Sequence, residues 1–131
     1  MRVLLDTHIL LWAISTPERL VPEARASIAS SENDILFSAA SIWEIAIKFA
    51  LRRASFIADP DAVTQEALDL GFIELPVRAT IASRVAGLPL LHRDPFDRLL
   101  IAQAIAEPAI LYTADAQLLP YSELVMSVGR R

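Results

Sequence analysis

The 131-residue chain contains no cysteine, which removes disulfides and thiolate metal sites from consideration. Glycine occurs three times, and no Pro/Gly/Ser-rich stretch or internal repeat is present, so neither a flexible linker nor a repeat array divides the sequence. Long apolar runs are missing as well. The longest charge-free stretch, Thr7 to Pro17, has 11 residues, well short of the roughly 20 that a bilayer-spanning helix needs, and no membrane anchor is expected. Met1-Arg2-Val3-Leu4-Leu5-Asp6 places an acid where a secretory leader needs its apolar centre, which makes cytoplasmic residence the expectation. Lys48 is the one lysine among 12 bases. The eleven arginines suit two-pronged phosphate recognition, but follow equally from a GC-rich genome. With 16 acids the formal net charge is -4, which argues against holding nucleic acid by bulk positive charge.

Hydrophobic residues make up 54% of the chain, enough for one packed core and hence one domain, 1–131. Val3-Leu4-Leu5 reads as a strand buried on both faces, stopped at Asp6-Thr7, after which Ile9, Leu10, Leu11 and Ala13 continue as a helix. Further helices are predicted at Pro22 to Ser30, from Ser38–Ser41 to Arg52 or Arg53, from Asp59-Pro60 to Gly71, at Arg78 to Ala86, and from Asp94-Pro95 to Ala106. Strands are predicted at Ile35 to Phe37, Phe72 to Leu75, Ala109 to Tyr112 and Leu124 to Val128, with a helical turn around Ala116 to Leu119. This alternation specifies an α/β fold with a parallel sheet and helices on both faces.

Four carboxylates sit where an ordinary surface acid would not. Asp6 ends a buried strand, where it either caps the next helix or lines a ligand crevice. Glu44 lies in Ser41-Ile42-Trp43-Glu44-Ile45-Ala46-Ile47-Lys48-Phe49, a helix apolar nearly all round except for a stripe of Ser41, Glu44, Lys48 and Arg52. It either pairs with Lys48 four residues on or faces a cleft. Asp94 reads as a helix cap, whereas Asp97 shares a helix face with Leu100, Ile101 and Ala104, an expensive place for a carboxylate without a cation. Asp115 follows the fourth strand and could cap the next turn. Acids from separate elements can converge only where the carboxyl ends of the strands meet, and once converged they cannot all ionise without cations. Oxygen ligands without cysteine point to Mg²⁺ or Mn²⁺, while His8 and His92 lack metal-motif spacing and read as ordinary polar residues. Hard cations on carboxylates serve phosphate chemistry.

Leu4-Leu5-Asp6-Thr7-His8, Ser41 to Lys48, His92-Arg93-Asp94-Pro95-Phe96-Asp97-Arg98-Leu99-Leu100-Ile101-Ala102-Gln103-Ala104 and Thr113-Ala114-Asp115 occur in this order. In these motifs the chain resembles PIN-domain ribonucleases of the VapC toxin type. The resemblance spans Val3 to Tyr121 and implies a three-layer α/β/α sandwich with strand order 3-2-1-4-5. It implies metal ligation by Asp6, Glu44, Asp97 and Asp115, with Thr113 beside the metal, and Mg²⁺- or Mn²⁺-dependent endonucleolytic cleavage of RNA. It further implies a homodimer held inactive by a small cognate antitoxin, with an antitoxin segment lying in a groove near Trp12, Trp43 and Phe49. Lys48 and Arg98, each within a turn of one of these acids, are candidates to meet either the acids or a substrate phosphate. One departure stands out: the family's glycine after the third helix is replaced by Ala50-Leu51-Arg52-Arg53-Ala54.

Two enzyme alternatives fit poorly. A haloacid-dehalogenase-type phosphatase needs a second acid where His8 stands, and a response-regulator receiver needs an acid after strand three, where the chain reads Leu75-Pro76. The alternative that remains is a non-catalytic PIN-like protein-binding module, against which the four intact acids argue.

Overall fold

Three consecutive apolar residues can all be buried only in a strand covered on both faces, and Val3, Leu4 and Leu5 are each fully excluded from solvent in β1 (Arg2–Leu5). In the computed structural model, which describes residues 1–51 and 58–130, β1 is the centre of a five-stranded parallel sheet. Its neighbours are β2 (Asp34–Ser38) on one side and β4 (Ile110–Thr113) on the other, with β3 (Ile73–Leu75) and β5 (Val125–Ser127) at the edges. The order 3-2-1-4-5 is the one expected. The period-two alternation of a strand sorts side chains between the layers. Val3, Leu5, Ile35 and Phe37 pack against α1 (Thr7–Ser15), α2 (Pro22–Ala29), α3 (Ala39–Ala50) and α4 (Pro60–Asp69). Leu4, Leu36 and Leu111 pack on the opposite face against α6 (Pro95–Ala106) and Leu118. The result is a three-layer α/β/α sandwich.

Local chemistry sets the helix boundaries. Asp6, Ser38, Asp59 and Asp94 each accept a backbone N–H at the start of α1, α3, α4 and α6, and Pro60 and Pro95 occupy first-turn positions where a missing N–H costs nothing. Gly71 takes φ 85° just past α4, a left-handed conformation that suits glycine. The helix expected over Arg78 to Ala86 is shorter, α5 (Ala79–Arg84), and tightens into a 3₁₀ turn over Val85–Gly87. A second 3₁₀ turn, Ala116–Tyr121, runs further than expected, with Pro120 inside it. The expected end of α3 at Arg52 or Arg53, the Arg52 member of its polar stripe and the Arg52-Arg53-Ala54 departure lie outside the described residues. Trp12 is half-buried against the core, with the Arg19 guanidinium 5.2 Å above its ring.

The order in which strands are added to the sheet reverses at β1, because β2 and β3 are laid down on one side of it and β4 and β5 on the other. Such a switch point opens a crevice at the carboxyl ends of the two strands. Leu5 pairs with Tyr112, so Asp6 and Thr113 leave the sheet side by side.

Candidate active site

Asp6 is both a cap and a lining residue of the crevice. One carboxylate oxygen accepts the Ile9 N–H at 2.8 Å, holding the first turn of α1, while the other accepts the Ala114 N–H at 3.3 Å, across the switch point. The side chain is buried, and burial pushes its carboxyl above its ordinary value. The Thr113 hydroxyl, the Ile9 and Ala114 N–H groups and the charge of His8 all pull it the other way. Thr113 itself is fully buried, and its hydroxyl oxygen also accepts the Asp115 N–H at 3.0 Å, so one side chain ties Asp6 to the turn that carries Asp115.

Asp97 stands one turn into α6, just past the Asp94 cap whose carboxylate accepts the Phe96 and Asp97 N–H groups. Its carboxyl is pushed up to about 7, first by burial, then by the like charges of Asp94 and Asp6, against the opposing pull of His92. Asp115 caps the following 3₁₀ turn through the Gln117 N–H at 2.9 Å and turns its other oxygen toward the same centre. Together Asp6, Asp94, Asp97, Asp115, His8, His92 and Ala114 line an open cleft of about 410 Å³.

Glu44 occupies different surroundings. It is buried on α3, where it accepts the Thr7 hydroxyl at 2.7 Å and pairs with the Lys48 ammonium at 2.9 Å, and it is not among the residues lining the cleft. Ser41 completes this polar group, its hydroxyl 3.0 Å from that of Thr7. The structure therefore gathers Asp6, Asp97 and Asp115 into one cleft and joins Glu44 to Thr7, the residue next to Asp6. The i,i+4 pairing anticipated for Glu44 and Lys48 is present. Arg98 does not face the acids. It is buried at 8% exposure and donates to the carbonyls of Val85, Leu88 and Pro89 and to the Tyr121 hydroxyl. Neighbouring positions on a helix point about 100° apart, so adjacency to Asp97 does not bring Arg98 to the cleft.

His92 is the residue that spacing did not reveal. Its Nε2 lies 3.0 Å from one Asp97 oxygen and 3.7 Å from one Asp115 oxygen. Ligand atoms of His92, Asp94 and Asp97 lie within 4.8 Å of one another. The only available signal was its place five residues before Asp97, in a loop with no periodicity to orient it.

A profile of the PIN domain matches residues 3–123. The chain belongs to the PIN-domain family. PIN domains are generally nucleases, and they typically use a divalent metal. Comparison with curated proteins gives no significant match. Among solved structures, this PIN domain is similar to a chain of VapBC2 from Rickettsia felis, solved bound to a DNA fragment from the promoter, with a TM-score of 0.70 at 19% identity over 98% of this chain and 99% of that one. It is similar as well to FitAcB from Neisseria gonorrhoeae, with a TM-score of 0.56 at 24% identity over 95% and 96% of the two chains. At these identities the likeness is one of fold.

The donor set of the cleft fits a divalent cation. Three carboxylates from three separate elements face one space, where burial first and the like charges of Asp94 and Asp6 second disfavour the ionised Asp97 carboxyl, both of which a cation would offset. Among the described residues, no helix is long and apolar enough to cross a membrane.

Proposed function

We propose that this PIN domain is a Mg²⁺- or Mn²⁺-dependent endoribonuclease and the toxin component of a VapC-type toxin–antitoxin pair. The convergence of Asp6, Asp97 and Asp115 at the switch-point crevice, with the Asp97 carboxyl pushed up to about 7, carries this reading. Asp6, Asp97 and Asp115 would hold the ion, with Glu44, joined to Thr7 beside Asp6, as the fourth acid of the metal site and Thr113 fixing Asp6 and the Asp115 turn. When bound, the cation would supply charge neutralisation at the phosphoryl group and an activated water for hydrolysis of the phosphodiester. The protein's own part is to set the acids on rigid strand and helix ends and to leave the cleft open to the substrate. The fold likeness to VapBC2 supports a small antitoxin as partner. We assign a homodimer acting in the cytoplasm, with residues 1–131 folding as one unit.

The test is cleavage of a structured RNA by the purified chain in Mg²⁺ or Mn²⁺, in EDTA, and with Asp97→Asn. Metal-dependent cuts that vanish in both controls are expected. Cleavage that survives EDTA or Asp97→Asn would remove the reading.

A further inference from the structure

Arg98 poses a physical problem, because a buried guanidinium normally has a carboxylate to offset its desolvation. Here no carboxylate pairs with it among the described residues. Its charge is shared by three backbone carbonyls and one phenol oxygen. All three carbonyls belong to Val85, Leu88 and Pro89, in the segment between α5 and α6 that has few backbone hydrogen bonds of its own. The phenol is that of Tyr121, at the end of the 3₁₀ turn that Asp115 caps. Its oxygen also accepts the Leu91 N–H at 3.1 Å and the His92 N–H at 2.8 Å, so three N–H groups from two elements converge on one atom. Leu90, beside them, is 90% exposed and contributes little packing to hold the segment.

We propose that Arg98 and Tyr121 are positioning residues for the cleft. Together they clamp the 85–92 segment and thereby set His92 against Asp97 and Asp115. The direction of the bonds supports this. Three carbonyls of the segment accept from Arg98, the N–H groups of Leu91 and His92 donate to Tyr121, and Arg98 joins the two anchors at 3.1 Å. An apolar residue in place of Arg98 could fill the space but could not satisfy those carbonyls. The neighbouring Asp97 and Asp115 leave from the same two elements as the clamp, α6 and the turn after β4, so its geometry is transmitted to the acids by a one-residue step from Arg98 and two turns of 3₁₀ helix from Tyr121. The proposal rests on reading the cleft as the reacting site.

Tyr121→Phe keeps the ring and removes the one atom on which the three N–H groups meet. Leu118→Ala, in the same turn, removes a fully buried side chain with no hydrogen bond to the segment, and serves as a control for general loosening. Three measurements separate the two variants: the ring-nitrogen chemical shift of His92 by ¹⁵N NMR in EDTA, Mn²⁺ affinity by calorimetry, and kcat against KM for RNA cleavage. Tyr121→Phe is expected to shift the His92 signal, weaken Mn²⁺ by about tenfold and lower kcat by roughly tenfold or more with KM little changed. Leu118→Ala is expected to lower the melting temperature while leaving all three unmoved. Arg98→Lys, reaching fewer acceptors, is expected to fall between Tyr121→Phe and the wild type. A His92 signal and Mn²⁺ affinity unchanged in Tyr121→Phe would overturn the clamp, and so would equal changes in Leu118→Ala. The NMR and Mn²⁺ readouts need no RNA. Failure of the wild type to cleave RNA would therefore count against the nuclease reading alone.

Discussion

Replacing Asp97 by Asn is expected to make the metal-free protein more stable, although it removes the acid on which the proposed activity depends. The Asp97 carboxyl is pushed from 3.8 to about 7 in the folded protein. Between these values the folded state binds the proton more tightly than the unfolded chain, so stability falls as pH rises through this window and is lowest once the group has ionised. A shift of this size corresponds to about 4 kcal/mol. The side chain is one-fifth exposed, and relaxation and counter-ions reduce the effect, which leaves about 2 kcal/mol. Loss of the hydrogen bond between His92 and Asp97 takes back up to about 1 kcal/mol if the amide cannot replace it. Asp6, whose charge helps raise Asp97, is relieved at the same time. Thermal denaturation in EDTA at pH 5 and pH 7.5 measures the difference. For a domain of this size each kcal/mol moves the midpoint by about 3–5 °C. Asp97→Asn is expected to melt several degrees above wild type at pH 7.5, with the gap shrinking toward pH 5. A variant less stable than wild type at pH 7.5, or a gap independent of pH, would refute the account of the cleft as a site of unneutralised charge.

Mg²⁺ or Mn²⁺ at a hundredfold excess over its dissociation constant should stabilise the wild type by about 2.7 kcal/mol and Asp97→Asn by much less, as read from melting curves at pH 7.5. Leu111→Ala, which empties a fully buried position beside Leu4 on the α6 face, is expected to cost about 2–5 kcal/mol in urea unfolding. Glu44→Gln keeps an acceptor for Thr7 but loses the charge facing Lys48; a cost near 1 kcal/mol is expected, and a larger loss of RNA cleavage than of stability would place Glu44 in the reaction. Trp43, 63% exposed on α3 and in edge contact with Phe96, is expected to lie under a partner; Trp43→Glu should reduce self-association or antitoxin binding in light scattering, and unchanged assembly would exclude this face.

Where the chain writes its boundaries in short-range chemistry, sequence and structure coincide. The limits of α6 are those expected, because Asp94 and Pro95 fix its start by local hydrogen bonding and a ring. The burial of Val3 to Leu5 followed from three apolar neighbours in a row. At Asp6 and Asp115 the two readings held open, cap and cleft, turn out to be simultaneous, since a carboxylate has two oxygens and each serves a different purpose. What the sequence could not display is direction. His92 leaves an aperiodic loop, so nothing in its neighbours says that it turns toward Asp97. Arg98 sits next to an acid in the chain but points a quarter-turn away, into carbonyls contributed by residues nine to thirteen positions earlier. Trp12 packs near the far end of the chain, where a side chain at Gly129 would come within 3.2 Å of its ring, a contact that no local pattern displays.

The central place of β1 has a consequence for the order in which the molecule can be made. Its pairing with β2 needs residues only some thirty positions away, whereas Val3 meets Ile110 across almost the whole length of the chain. Contacts of such long range are slow to form and cannot begin before both partners have been synthesised. A nascent chain lacking β4 has Asp6 without the Ala114 N–H and Thr113 hydroxyl that hold it. It has no switch point, and so no crevice. The cleft on which the proposed cleavage depends is thereby deferred until translation has passed Asp115, when nearly every other element has already emerged.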